Sequence, residues 1–395
     1  NDFQTKYYLE ASEKDDKDKG VYSNSTQAIL FVYPDGSYGK KGFDKYMTKK
    51  PKRTIITKDG KRKILYKYVM KNELKTQIKG KDDMETLQKL RKFSSKYSEV
   101  IKNILDSYNT GKKSFVYLKY VKGSGSILFS NILKLFGFSE ASHTSSGESK
   151  RFVLATGETS STKQIKKTVN RFNKEDNFDG KIISLIIGSY VIAEGFTFKD
   201  IQTEEILTPY WNYSETAQVI ARGWRLGSHN NLLDKGFSPN VNIFQRVSLP
   251  NKKSESSIDL KMYELSEIKD INIKHIERIL KEISVDCNLF FNRNYVTQQD
   301  GNRDCEYTNC EYKCDDEIKV KDRDIDYSTY NLYYNKKDIL YIEDTIKKLF
   351  RNKFSISINE IYEILKDKQN FIIMSTLRNI INKNLQIINK FGFIS

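Results

Sequence analysis

Between Ser114 and Val247, short apolar runs alternate with amphipathic stretches, and few folds accommodate that rhythm. Phe115–Val121, Arg151–Ala155, Ile183–Ile187 and Glu205–Leu207 read as buried strands, closed by another over Val241–Val247. Helical patterns lie between them, over Ile127–Phe136, over Thr162–Phe172 and in a stretch opened by Asn212-Tyr213-Ser214-Glu215, whose short polar side chains suit a helix cap. Strands joined through helices run parallel, so the expected class is α/β: a mostly parallel sheet with helices on both faces. Ligands in such sheets bind outside the carboxyl ends of the strands. The expected loops there include Gly123-Ser124-Gly125, Thr156–Ser160 and Gly188-Ser189. A glycine-rich turn at a helix start offers backbone N–H groups to an anion, but a tight strand-to-helix connection needs glycine for steric reasons alone.

The stretch Gln218–Arg225 reads QVIARGWR. Arg222 and Arg225 follow Gln218 by four and seven positions, offsets that place all three on one face of a helix. Two guanidiniums and an amide in a rigid row suit a triphosphate held by a partner surface, because arginine stays charged and forks onto phosphate oxygens. The plainer reading is a solvated helix face.

The order of these stretches resembles superfamily 2 helicases and translocases. GSYVIAEGFTFKDI (Gly188–Ile201) is similar to their motif V and QVIARGWR to their motif VI. Within that superfamily the chain most resembles the poxvirus-type branch of large DNA viruses, which includes nucleoside triphosphatase I and the small subunit of the early transcription factor. FVYPDGSYG (Phe31–Gly39), Ser114–Phe138, Ile206–Gln218 and RLGSH (Arg225–His229) carry the likeness through residues 27 to 290, around an apparent insertion near 40 to 82. Ala221 departs from it, standing where the family has glycine.

The resemblance implies a RecA-like lobe that meets ATP and Mg²⁺ in a cleft shared with another lobe. Arg222 and Arg225 would then stabilise charge on the γ-phosphate, with Gln218 near the nucleotide or its water. Gly195 and Thr197 would couple nucleotide state to the nucleic acid. Gly123, Ser124, Gly157, Thr159 and Ser189 would touch sugar-phosphate. Further implied partners are the first RecA-like lobe and RNA polymerase or other transcription proteins, in the cytoplasm, a viral factory or a virion. No G-x-x-x-x-G-K-[ST] loop occurs, and Thr110-Gly111-Lys112-Lys113-Ser114 only echoes one. No acidic magnesium box of the D-E-x-H or D-E-x-D kind occurs either, so the chain reads as the C-terminal part of a longer motor, inactive on its own. Two alternatives stay open: a duplex translocase of the chromatin-remodeller type, and a non-catalytic transcription-factor or scaffold subunit.

Composition bears on partners. The 395 residues carry 67 Lys+Arg against 51 Asp+Glu, a net +16 that favours a polyanion, although AT-rich coding also inflates lysine. No apolar run is long enough to span a bilayer, so no membrane partner is expected. Cys287, Cys305, Cys310 and Cys314 cluster at irregular spacing. They read as ligands to one Zn²⁺ or as buried thiols in a reducing compartment. His143, His229 and His275 show no ligand spacing.

Domain boundaries follow composition. Residues 1–110 read as a connector from the first lobe, polar through residue 26, with a strand over Ala28–Tyr33 and a basic hairpin inside 40–82. Met84–Tyr108 has helical periodicity. Residues 111–290 form the lobe and end in helices over Ile258–Val285; residues 291–330 are the cysteine-containing segment. Residues 331–395 have the order of a winged helix: helix Lys336–Phe350, strand Phe354–Ile356, helices Ile358–Leu365 and Gln369–Ile381, and a wing over Leu385–Ile388 and Phe391–Ile394. Thr376, Arg378, Asn379 and Lys383 on its third helix are the candidates for a DNA groove.

Overall fold

A computed structural model describes residues 1–17, 22–56, 60–189, 196–250, 256–295, 299–314, 336–383, 387, 389, 390 and 392. They fall into two compact units, Asn1–Leu280 with Tyr295–Tyr312, and Lys281–Asn294 with Lys313–Ser395.

The first unit holds a parallel six-stranded sheet in the order β4-β5-β6-β3-β7-β8. The strands are β3 (Lys113–Tyr117), β4 (Ser139–Glu140), β5 (Arg151–Ala155), β6 (Leu185–Gly188), β7 (Ile201–Ile206) and β8 (Asn242–Gln245). Side chains alternate between faces with the two-residue period of a strand. Phe115, Tyr117, Val153 and Ile186 enter a core completed by Ile165 and Val169 of α8 (Thr162–Phe172) and Val219 of α9 (Tyr213–Gly223). Val116, Phe152, Leu185 and Ile187 enter the opposite core, with α6 (Ser95–Asn109) and α7 (Ser126–Leu133). This is the expected α/β class, with the layering of a RecA-like lobe.

Helical periodicity over Met84–Tyr108 resolves into two helices, α5 (Asp83–Phe93) and α6. The break falls at Ser94, whose side chain caps α6 by accepting from Tyr97 N–H. The polar start is not a loose connector. It forms α1 (Asp2–Lys17) and α2 (Ser23–Leu30), which bury Tyr8, Ala11 and Ala28. The first half of the strand expected over Ala28–Tyr33 is therefore the end of α2, and in the second half Val32 makes a bridge to Tyr38. After α3 (Gly39–Tyr46), the basic insertion forms the antiparallel hairpin β1 (Met47–Ile56) and β2 (Arg62–Met70), followed by α4 (Asn72–Ile78). Beyond α9 come α10 (Asn230–Asp234) and one long helix, α11 (Ile258–Ile283), where shorter helices were expected.

The second unit contains α12 (Cys287–Asn294), α13 (Lys336–Asn352), α14 (Ile358–Ile364) and α15 (Asn370–Asn382). The last three share a core of Ile342, Ile346, Ile361, Leu365, Ile372 and Ile373. Ser357 caps α14 as expected, accepting from Glu360 N–H. Residues 354–356 form no strand, and the wing positions lie largely outside the described residues. Thr376 is buried and donates to Ile372 O at 2.8 Å, so it faces the core rather than a groove; Arg378, Asn379 and Lys383 are exposed.

The cysteines correct both earlier readings. Cys305 and Cys310 form a disulfide in the first unit, and Cys287 and Cys314 form one in the second. Short spacing lets two thiols meet one another as readily as it lets them meet a metal. Among the described residues no His, Cys, Asp or Glu cluster suits a metal ion, and no helix is long and apolar enough to cross a membrane.

Candidate nucleotide and nucleic-acid surfaces

The motif V and motif VI segments form one hydrogen-bonded unit. Phe198 N–H donates to Arg222 O at 2.9 Å, and Asp200 N–H to Ser228 O at 2.9 Å. Side chains add to this. Arg222 Nη1 donates to Phe196 O at 3.3 Å, and Arg225 Nη1 donates to Thr197 Oγ1 at 2.9 Å. At the end of α8, Asn173 Nδ2 donates to Thr197 O at 2.8 Å and its Oδ1 accepts from Lys199 N–H at 2.9 Å. His229, unremarkable in the sequence, is buried. Its Nε2 lies 2.7 Å from Ile201 O and its Nδ1 2.9 Å from Ser228 Oγ. A carbonyl only accepts, so Nε2 carries a proton.

The three motif VI side chains separate. Helix α9 ends at Gly223, so Gln218 and Arg222 share its periodicity while Arg225 lies beyond it. Gln218 is exposed, but Arg222 is buried against the Phe196 carbonyl. Arg225 is exposed, steadied by Thr197 and by a 3.0 Å bond from its Nε to Ala221 O. The row expected on one face is thus one presented guanidinium and one interior brace. Trp224, 65% exposed, and the fully exposed Leu226 flank Arg225. Gly195 lies outside the described residues.

Gly188-Ser189 closes β6 at the carboxyl edge as expected, but the Phe196–Asp200 part of motif V leads into β7, and with the end of α9 it gathers at the edge where the strands begin. Helix α9 is the crossover that leaves the end of β7 and returns toward the start of β8, so its last turn arrives at the amino edge. Lys113, in the phosphate-loop echo, is at that edge but interior. It donates to Phe172 O at 3.0 Å and lies 3.6 Å from Asp200 Oδ2. Burial pushes its ammonium down to about 7, against the opposing pull of Asp200. Asp200 itself adopts a left-handed backbone, φ 62°, a conformation that aspartate tolerates better than most residues.

Beneath α9, Glu204 of β7 is fully buried, and neither carboxyl oxygen has a hydrogen-bond partner among the described residues. A Cβ at Gly223 would sit 2.9 Å from Glu204 Oε2, so glycine permits this close approach. Burial pushes the Glu204 pKa well above 4.5. The native state therefore holds this proton more tightly than the unfolded chain, and stability falls as pH rises from 4.5 toward the folded value. Glu204→Gln removes the titration. Thermal melts should show the variant gaining on the parent by up to about 1.4 kcal/mol per pH unit across that window. A difference that stays flat between pH 5 and pH 8 would count against the buried carboxyl.

At the carboxyl edge, the candidates Gly123 and Ser124 are interior. Ser124 N–H donates to Gln27 Oε1 at 2.8 Å, and its Oγ donates to Phe31 O at 3.0 Å. Gly123 O accepts from Tyr33 OH at 2.9 Å. A Cβ on Gly125 would fall 2.1 Å from Tyr120 O. The turn thus needs glycine for steric reasons, and its polar groups are engaged inside the protein. Thr159 is buried with its Oγ1 3.2 Å from Thr156 Oγ1, and Ser189 is fully buried. Gly157 alone of this set is partly open to solvent.

Comparison with known proteins agrees with the α/β fold. Residues 95–227 match the helicase conserved C-terminal domain. A protein of Invertebrate iridescent virus 3 described as a helicase is 40% identical over 342 residues, 85% of this chain and 32% of that protein. One of Heliothis virescens ascovirus 3e described as an ATP-dependent RNA helicase is 31% identical over 287 residues, 72% of this chain and 28% of that protein. Nucleoside triphosphatase I of Heliothis armigera entomopoxvirus is 28% identical over 206 residues, 52% of this chain and 28% of that protein. The chain spans about a third of the length of the curated relatives it matches.

Proposed function

We propose that this chain, whose residues 95–227 match the helicase conserved C-terminal domain, is the second motor lobe of an ATP-dependent nucleic-acid helicase or translocase of superfamily 2. The observation that carries the reading is Arg225, an exposed guanidinium held in place by Thr197 across the two motif segments. A fixed, solvent-facing guanidinium fits a triphosphate bound to a facing lobe, where it stabilises charge that grows on the γ-phosphate. Arg222 acts one layer deeper, bracing the Phe196 carbonyl and so the segment that presents Thr197. Magnesium is not assigned to residues of this chain, because no suitable cluster exists among those described.

The amino edge thus takes the nucleotide and the carboxyl edge the nucleic acid. Closure of two lobes on ATP and release after hydrolysis would turn one into motion along the other. The full-length protein is expected to displace a labelled strand, or a triplex-forming strand if it moves along duplex, only when ATP is supplied. This chain alone is expected to show no ATP turnover with either nucleic acid. Turnover by the chain alone at the full-length rate would defeat the reading, as would failure of the full-length protein in both displacement assays.

A further inference from the structure

We propose that the β1–β2 hairpin and the cleft at its root form a binding site for single-stranded nucleic acid, one that extends the carboxyl edge of the sheet. The inference rests on reading the chain as part of a nucleic-acid motor and names an element that takes hold of the strand.

The two strands of the hairpin carry one sign of charge. Strand β1 has Lys49, Lys50, Lys52 and Arg53, all exposed, and neither strand contains an acidic residue. On β2, Arg62, Lys63 and Lys67 add to this, also exposed. Solubility alone does not require so many like charges on two adjacent strands, where they repel. The hairpin is also docked rather than loose. Leu65, Tyr68 and Met70 are buried at its root. Tyr66 N–H donates to Glu158 O at 3.0 Å, and Tyr68 OH donates to Glu158 Oε1 at 2.6 Å. These bonds fix it to the turn after β5, and Lys63 Nζ comes within 3.5 Å of the position a Gly157 Cβ would take. The one partly open candidate on that edge therefore lies under a lysine.

The cleft supplies the rest. About 770 Å³ in volume, it is lined by Lys40, Lys49, Lys71 and Lys122, with Tyr68, Tyr120 and Asp44, and Lys122 Nζ is paired with Glu158 Oε1 at 2.8 Å. Lys49 Nζ stands 3.7 Å from the centroid of the Tyr66 ring. Lysines spaced along a groove beside the partly exposed rings of Tyr66 and Tyr120 match a flexible strand, whose phosphates take the charge and whose unstacked bases take those two rings. A duplex keeps its bases stacked and gains nothing from the tyrosines.

The test is fluorescence anisotropy with labelled 20-mers, dT and U, across a salt series. Lys49→Gln/Lys50→Gln/Arg53→Gln should weaken binding of the chain at least tenfold near 0.1 M salt. It should also lower the log–log salt slope by about 2, from three contacts at roughly 0.7 each. A charge-matched control at the other edge, Lys174→Gln/Lys181→Gln/Lys235→Gln, should bind like the unchanged chain. Circular dichroism and melting temperature verify that both variants fold. Unchanged affinity in the hairpin variant, or equal losses in the two variants, overturns the hairpin site but leaves the motor reading standing. No binding of either 20-mer by the unchanged chain also overturns the hairpin site, while the motor reading falls only if the full-length protein fails in both displacement assays. Relative affinity for dT and U then identifies the strand as DNA or RNA.

Discussion

Arg225→Ala in the full-length protein is expected to lower ATP turnover by roughly 10³-fold or more, the scale of a lost arginine finger. The expectation follows from where the side chain sits. Two of its five N–H donors are engaged, by Thr197 and Ala221, and they orient the plane of the group. The remaining donors face solvent from a residue just past the end of α9. Because the protein has already ordered this guanidinium, little of its interaction with a transferring phosphoryl group is spent on immobilising it. Lysine would keep the charge but lose the fork, so Arg225→Lys should recover only a small part of the rate. Affinity for nucleic acid without nucleotide should not change, since the proposed strand contacts are at the opposite edge. Steady-state ATPase beside anisotropy separates the two. A variant within threefold of the parent rate would remove Arg225 from the nucleotide site.

Arg222 behaves differently, and the difference could not be read from spacing. A helical offset shows which side chains share a face, but not where the helix stops or which face is covered. Here α9 ends at Gly223, two residues before Arg225, and the covered side is the one carrying Arg222. The sheet itself was legible, because alternating apolar strands and amphipathic helices leave so few arrangements. Burial set by distant partners was not. Ser124 is interior because Gln27, Phe31 and Tyr97 close over it from elements far away in the chain. The start of the chain misled in the same way. A polar stretch dense in charge forms α1 because Tyr8 and Ala11 find a surface to pack on, and no local pattern contains that surface. Asn173 carried no signal, and His229 stood out only as the last residue of the RLGSH stretch, with nothing to show the contacts it makes. Both act on backbone groups of other segments, and any residue type can supply those.

The largest stability effect is expected at Lys96. Its ammonium donates to Asp259 Oδ2 at 2.6 Å and to Leu207 O at 2.8 Å, joining α6, the end of β7 and the start of α11. Both charged side chains are 1% exposed. Burial pulls the Lys96 pKa down and pushes the Asp259 pKa up, each against the attraction of the other, so the pair is held together at the expense of its hydration. Lys96→Met keeps the volume and leaves Asp259 buried, with Ser248 N–H donating to it at 3.1 Å. Removing one partner of such a pair lowers stability by about 3–5 kcal/mol. Lys96→Met/Asp259→Leu should be more stable than Lys96→Met, because it removes the stranded charge as well. The sign of the pH dependence follows. Without lysine the Asp259 pKa rises further, so the native state binds a proton that the unfolded chain releases above its usual 3.8. The deficit of Lys96→Met should therefore widen as pH rises above the parent's own Asp259 pKa, which burial already holds above 3.8, and level off above the variant's. Urea denaturation at pH 5 and pH 7.5 measures this. A loss under about 1 kcal/mol at both values, or a double variant weaker than the single, would mean that water reaches the pair and that α11 is not locked to the sheet through it.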